Sequence, residues 1–302
     1  MKTYNAHGKL LLTGEYLVLK GALALALPTK LGQSLTVECC HPNVIRWSAH
    51  KPDGPWFSAL LAPDTLEIVE TDDQSKAEKL SHILKAVREL NPFAFETGLR
   101  FETRLGFDPR WGLGSSSTLL SLLAQWAEVN PYELIQKTFG GSGYDIACAT
   151  AGTAIHYWLD QGEPRVQPVP FDPPFADHLF FVYQGMKQHS SEEVKAFNRQ
   201  WDQADLTSEL QTVSELSRAL PAITYFEDFC TLLQVHESLL ARCLGREPVQ
   251  QRFPDFPGVL KSLGAWGGDF IMAVTSLSHE EVVAYFTKLG LDTVFCYHDI
   301  IL

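Results

Sequence analysis

The chain has no excess of positive charge, no cysteines paired at metal spacing and no apolar run long enough to cross a bilayer. It carries 36 acidic against 24 basic residues, a net charge of −12. Such a surface repels phosphate backbones at long range, so nucleic acid is not an expected partner, while a local basic site for a small phosphorylated ligand stays open. The cysteines Cys39, Cys40, Cys148, Cys230, Cys243 and Cys296 form no C-x-x-C pair and have no histidines clustered near them. Scattered thiols of this kind fit a reducing compartment. The start of the chain shows neither the apolar stretch nor the cleavage site of a signal peptide. The run Ala22 to Leu27 is far too short for a membrane span. A cytoplasmic protein without a membrane partner is expected. Also missing are a Walker A pattern, a G-x-G-x-x-G fingerprint, an internal repeat and a low-complexity tract.

What is present is a length of 302 residues, enough for two domains, and a composition that is 45% hydrophobic, which argues against disorder. Residues 9–13 and 16–27 read as strands joined by a tight turn, with more strand at 32–38, 44–48 and 99–105. Residues 50–75, with clustered Pro, Gly and Asp, resist assignment. Leu80, Ile83, Leu84 and Val87 recur at helical spacing in Glu78 to Leu90, and Asn91-Pro92 ends that helix. Leu119, Leu122, Leu123 and Trp126 form the stripe of a second helix. A strand is predicted over 153–159, a linker over 160–176, a strand over 179–183 and helices over 205–220 and 226–244. Ser190 with Glu193, and Ser278 with Glu281, read as capping boxes, the latter opening a last helix that Gly290 ends. A strand is predicted over 269–275. The linker divides the chain into domains 1–170 and 171–302. Strands alternating with helices argue for an α/β or α+β protein.

Four segments carry chemistry. Gly112-Leu113-Gly114-Ser115-Ser116-Ser117 stands at the mouth of a helix, where unpaired N–H groups and a partial positive charge suit phosphate. Its other reading is a good N-cap. In Gly140-Gly141-Ser142-Gly143-Tyr144-Asp145 a carboxylate on a glycine-rich turn can accept a hydroxyl proton, or else simply cap a short helix. The glycines of Gly264-Ala265-Trp266-Gly267-Gly268-Asp269 suit either close approach to a ligand or a sharp turn before a buried strand. The fourth is His7-Gly8-Lys9 with Gly14-Glu15-Tyr16, where Lys9 is either solvated or a cation at a phosphate.

In order and spacing these segments resemble the GHMP kinases. The first motif of that family, P-G-K-x-x-x-x-G-E-Y/H-x-V, is matched from Ala6 to Val18, with His7 in place of the usual Pro. P-x-x-G-L-G-S-S is matched by Pro109 to Ser116, and S-G-x-D by Ser142 to Asp145. S/T-G-A-G-x-G-G is matched in altered form by Leu263 to Gly268, where Trp266 replaces a small residue and is expected to crowd the loop. The resemblance implies an α+β, two-domain GHMP kinase fold, with an N-terminal ATP-binding domain like domain 2 of ribosomal protein S5 and a ferredoxin-like C-terminal domain. It also implies ATP and Mg²⁺. Gly112, Leu113, Gly114, Ser115, Ser116 and Ser117 would wrap the ATP phosphates. Ser116, together with Glu133 at a slightly shifted spacing, would ligate Mg²⁺. Asp145 would take the acceptor's proton, and Lys9 would sit against it, keeping it ionised and steadying the phosphoryl group. Glu15, Tyr16, Ser142, Gly143, Lys187, Gly264, Ala265, Gly267 and Gly268 would line the acceptor side.

The resemblance is greatest to the mevalonate-pathway kinases, with mevalonate or 5-phosphomevalonate as acceptor in isoprenoid precursor synthesis. Gly141 to Ala147 and Gly267-Gly268-Asp269 look more like phosphomevalonate kinases, whereas the total length is nearer to mevalonate kinases. A phosphorylated acceptor would need further cations, for which Arg110, Lys187 and His189 are candidates. Kinases of homoserine or sugars, and a GHMP-fold protein that binds nucleotide without turnover, are the alternatives. The related decarboxylase is disfavoured because its phosphate loop usually reads A-S-S where this chain has Gly114-Ser115-Ser116. The expected partners are ATP and a small acceptor, in a monomer or homodimer.

Overall fold

In the computed structural model, which describes residues 1–41, 43–185, 197, 199, 201, 205–264, 266 and 269–302, the elements divide between two units interleaved in sequence. Unit 1 comprises Met1–Gly8, Leu31–Pro109 and Leu113–Thr150; unit 2 comprises Lys9–Lys30, Arg110–Gly112 and Ala151–Leu302. Strands β1 (Lys2–Thr13) and β2 (Ala24–Cys39) are each cut by this division. The domains read from the sequence are consecutive, and 171–302 lies wholly inside unit 2.

Unit 1 holds β3 (Ile45–Lys51), β4 (Gly54–Leu61), β5 (Ile68–Thr71), α1 (Gln74–Leu90), β6 (Leu99–Leu105), α2 (Ser115–Ala127), α3 (Pro131–Thr138) and α4 (Tyr144–Ala149). Its strands run in the order β5-β4-β3-β6-β2. The β3–β6 pair is parallel and the others are antiparallel. The residues Leu99, Phe101, Thr103 and Leu105 of β6 are buried and alternate with outward residues, as a one-sided sheet requires. That buried face meets the apolar stripes of α1 and α2 in one core, which includes Trp47, Leu84, Phe101, Leu120 and Leu123. Helix α1 begins ahead of the predicted Glu78 because the Asp73 side chain caps it, accepting the Lys76 N–H at 3.0 Å.

Unit 2 pairs the first part of β2 with β7 (Ile155–Asp160), and β7 with β8 (Glu163–Pro168). A second, antiparallel sheet has the order β10-β11-β9-β12, built from β9 (Leu179–Tyr183), β10 (Val259–Leu263), β11 (Phe270–Val274) and β12 (Val294–Cys296). Among the described residues the unit's helices include α5 (Thr207–Ala219), α6 (Phe226–Leu244), α7 (His279–Thr287) and α8 (Tyr297–Ile300). One apolar cluster joins Phe180, Ile271 and Ala273 of the second sheet to Val282 and Phe286 of α7. Ser278 and Glu281 form the predicted capping box, at 2.9 and 3.3 Å.

Several expectations are corrected. Residues 16–27 are not one strand: Leu17–Lys20 is a 3-10 turn between Tyr16 at φ 60° and Gly21 at φ 95°. Its apolar residues Leu17 and Val18 are buried on all sides, which removes the alternation that marks a strand. The predicted linker contains β8, an edge strand whose prolines delimit it. Residues 50–75 hold β4 and β5. The helix capped by Ser278 stops at Thr287, short of Gly290, and is not the last, since α8 follows it. The Ser190–Glu193 box lies outside the described residues. No helix among the described residues is long and apolar enough to cross a membrane.

Candidate active site

In unit 1 the site begins at the head of α2. Gly114, at φ 90° and ψ 41°, turns the chain into the helix in a left-handed conformation open to glycine. No side chain caps this end and no acidic residue stands in the first turn, so the leading N–H groups and the positive end of the helix dipole are left for a ligand. The three serines have different environments. Ser117 is buried and donates to the Gly114 carbonyl at 2.9 Å. Ser115 is half-buried, and its carbonyl accepts from Thr118 Oγ1 at 3.1 Å. Ser116 is exposed, and its hydroxyl makes no hydrogen bond among the described residues. Leu113 is fully buried and pins the loop behind.

Asp145 stands in the first turn of α4, which Gly143 opens at φ 85°. It is half-buried, and its Oδ1 accepts the Ile146 N–H at 3.0 Å, so the capping role read from the sequence is also present. Ser142, just before, is buried. Helix α4 packs on α2, and α3 packs on α2 as well. Between them Ser121, Gln125, Tyr132, Ile146 and Thr150 line a cavity of ≈ 170 Å³. That is below the roughly 300–1,000 Å³ of ligand pockets. The Tyr132 hydroxyl is pushed up from its ordinary pKa, first by burial and then by the negative charge of Asp145. Glu133 is exposed in the first turn of α3, and its Oε1 accepts from Asn130 at 3.2 Å. Among the described residues no three His, Cys, Asp or Glu cluster to hold a metal ion.

In unit 2, Lys9 is half-buried and its Nζ donates to the Gly112 carbonyl at 2.8 Å. Gly264, at φ 65°, is half-buried. Trp266 is the one described residue between Gly264 and Asp269. Its indole is buried with Tyr16, Leu17, Phe197, Val213 and Leu240. The Trp266 backbone N–H donates to the Tyr16 hydroxyl at 3.4 Å, and its backbone carbonyl accepts from Arg246 at 2.5 Å. Ala265, Gly267, Gly268, Lys187 and His189 lie outside the described residues.

Glu15 and Tyr16 both have partners within the fold. Tyr16 belongs to the apolar cluster around Trp266. Glu15 is 1% exposed and pairs with the fully buried Lys261 at 2.6 Å. Burial pushes Glu15 up to about 7, against the downward pull of Lys261. His236 Nε2 lies 3.6 Å from Glu15 but already accepts the Gly14 N–H at 3.0 Å. Burial, with Lys261 nearby, holds this imidazole neutral, so the approach is not an ion pair. On β10, next to Lys261, Ser262 donates its N–H and hydroxyl to Glu237 at 3.0 and 2.9 Å. Lys261, His236 and Glu237 carry no motif in the sequence, where they are polar letters inside a helical and a strand pattern. Asp269 stood at the end of a quoted segment without a role.

Compared by sequence, the chain matches no family model and no curated protein. Compared by structure, it is similar to the mevalonate kinase of Methanococcus jannaschii, with a TM-score of 0.70 at 16% identity, covering 97% of this chain and 96% of the other. It is similar to the Streptococcus pneumoniae phosphomevalonate kinase in complex with phosphomevalonate and AMPPNP, with a TM-score of 0.71 at 18% identity over 98% and 99% of the two chains. The Lactococcus lactis galactokinase complexed with galactose gives 0.67 at 13% identity over 97% and 92%. The chain has the two-domain α+β fold of the GHMP kinases.

Proposed function

We propose that the chain is an ATP-dependent small-molecule kinase, moving the γ-phosphoryl group to an oxygen of a mevalonate-pathway acceptor, mevalonate or 5-phosphomevalonate. The observation that carries this is the head of α2: an uncapped helix end, a left-handed Gly114 and the free Ser116 hydroxyl. These are the requirements of a polyphosphate site, and the motif order and the shared fold support the same reading. Asp145 receives the acceptor's proton. Lys9 holds the Gly112 carbonyl and adds positive charge to the start of the loop.

Mg²⁺ fits this donor set as a partner of the nucleotide. It prefers hard oxygens and keeps waters and phosphate ligands, so a serine hydroxyl can serve as its protein ligand without a cage of carboxylates. Ser116 would hold it, with Glu133 as the proposed second ligand. Once bound it would neutralise charge developing on the phosphate oxygens. ATP and the acceptor are then the partners, in a cytoplasmic enzyme. The similarity to a galactokinase keeps a sugar or another small alcohol as the second reading.

The test is ADP release from Mg·ATP with mevalonate, 5-phosphomevalonate, homoserine and galactose in parallel, on the wild type and Asp145→Asn. Turnover of one acceptor, cut roughly 10²–10⁴-fold by the substitution, is expected for a lost general base. Turnover of galactose or homoserine alone would move the protein to the second reading. An Asp145→Asn enzyme as fast as wild type would remove Asp145 from the chemistry.

A further inference from the structure

Gly112 is gripped from two sides within unit 2. On its carbonyl stands the Lys9 ammonium, at 2.8 Å. On its Cα stands a carboxylate: a Cβ built at Gly112 would lie 2.4 Å from Asp269 Cγ and 2.6 Å from each of its oxygens. The whole plane of the Asp269 carboxylate therefore fills the space a side chain would take, and Gly112 holds φ 70° beside it. The same carboxylate reaches Gly264, where a Cβ would lie 3.4 Å from Oδ2. Asp269 itself is 5% exposed and rigidly mounted. Its carbonyl accepts the Gln184 N–H at 2.9 Å, Arg252 donates to the Gln184 side chain, and β11 begins at the next residue.

We propose that Asp269 is a positioning residue for the phosphate loop, a buried wedge that sets the backbone of Gly112 and ties it to Gly264. The inference rests on the kinase reading above. The loop's later residues, Gly114 to Ser117, can present N–H groups to phosphate only if the chain enters them along a fixed path. Gly112 stands two residues before Gly114, so its backbone aims the chain that follows. An acid so close to a polyphosphate segment would repel the ligand on its own. The Lys9 ammonium on the same glycine supplies the opposite charge, which is why the pair can be kept there together.

The experiment is titration calorimetry of Mg·ATP into the full-length chain, with thermal melts alongside. Asp269→Asn keeps the shape and is expected to bind within about threefold of wild type. Asp269→Ala empties the wedge and is expected to lose roughly tenfold to a hundredfold in affinity, about what one lost hydrogen bond to a charged phosphate oxygen gives. Gly112→Ala is expected to weaken binding strongly in the wild type and much less in the Asp269→Ala background, because the two side chains compete for one space. If Asp269→Ala melts as unfolded, Asp269→Ser, which keeps part of the volume, takes its place with an intermediate loss. Unchanged affinity in the Ala or Ser variant overturns the role. So does an equal cost of Gly112→Ala in both backgrounds, or an Asn variant as weak as the Ala variant, since charge rather than packing would then decide. A wild type that binds no Mg·ATP overturns the kinase reading itself.

Discussion

Ser115, Ser116 and Ser117 are the same letter three times, yet the helix start gives each a different environment. Ser117 turns inward and spends its hydroxyl on the Gly114 carbonyl, while Ser116 faces solvent with its hydroxyl free. Opposite outcomes are therefore expected from two neighbouring substitutions. Ser117→Ala removes a buried hydrogen bond and should cost about 1 kcal/mol in urea unfolding. Ser116→Ala touches an exposed group, should stay within about 0.5 kcal/mol of wild type, and should lower Mg-dependent turnover by one to two orders of magnitude. A Ser116→Ala enzyme with wild-type turnover would take this hydroxyl out of the metal site. The sequence made the run of hydroxyls at a helix mouth legible. It could not say which one is free, because that depends on the rotation of the first turn, set by Gly114. The same holds for Glu15: its letter fits the family motif, but only the fold brings Lys261 to within 2.6 Å of it.

At the scale of elements, the turn after β1 is tied to α6 and β10 through buried polar groups. Gly14 donates to His236 of α6, Glu15 pairs with Lys261 of β10, and Lys261 also donates to the Ser262 carbonyl at 2.7 Å. Glu15 has a folded pKa of about 7 against an ordinary 4.5, with burial as the first cause. Between those values the folded chain binds a proton that the unfolded chain has released. The resulting stability is complete below pH 4.5 and is lost as pH rises through 7. Over that window the contribution is on the order of 3 kcal/mol. Glu15→Gln mimics the protonated form, so its stability relative to wild type should improve by about that amount between pH 5 and pH 8 in urea titrations. If the difference between wild type and Glu15→Gln instead stays flat across this window, the Lys261 ammonium dominates and the pair is fully ionised throughout. None of this was readable from the elements that the sequence did predict well. The strand β6 and the helix α6 fall where periodicity put them, because one face of each meets a core, and β9 falls where its short apolar run put it, buried on both faces. The 3-10 turn at Leu17–Lys20 and the hairpin strand β8 were misread, since burial on all sides and prolines at an edge erase the period.

For the molecule as a whole, the interleaving of the units has a consequence for how the chain can be divided. Residues Lys9–Lys30 belong with the C-terminal part, and many buried contacts hold them there. Thr13 and Ser217 share a 2.7 Å hydrogen bond, and the Leu23 N–H donates to Ser214 at 2.9 Å. Tyr16, Leu17 and Ala22 complete the apolar cluster of Val213, Leu239, Leu240 and Trp266. A fragment of residues 171–302 would lose all of these and would leave Lys261 buried without its carboxylate. An uncompensated buried charge costs about 3–5 kcal/mol, a large part of the roughly 5–15 kcal/mol that holds a domain together. The fragment is therefore expected to show helical far-UV circular dichroism but weak near-UV signal and no cooperative urea transition. Adding Lys261→Met to it should restore part of the cooperativity by removing the stranded charge. The consecutive division at 170/171 predicts the reverse, a 171–302 fragment that melts as sharply as the whole chain. A cooperative transition in the unmodified fragment would mean that the N-terminal segment only decorates unit 2 and does not complete its core.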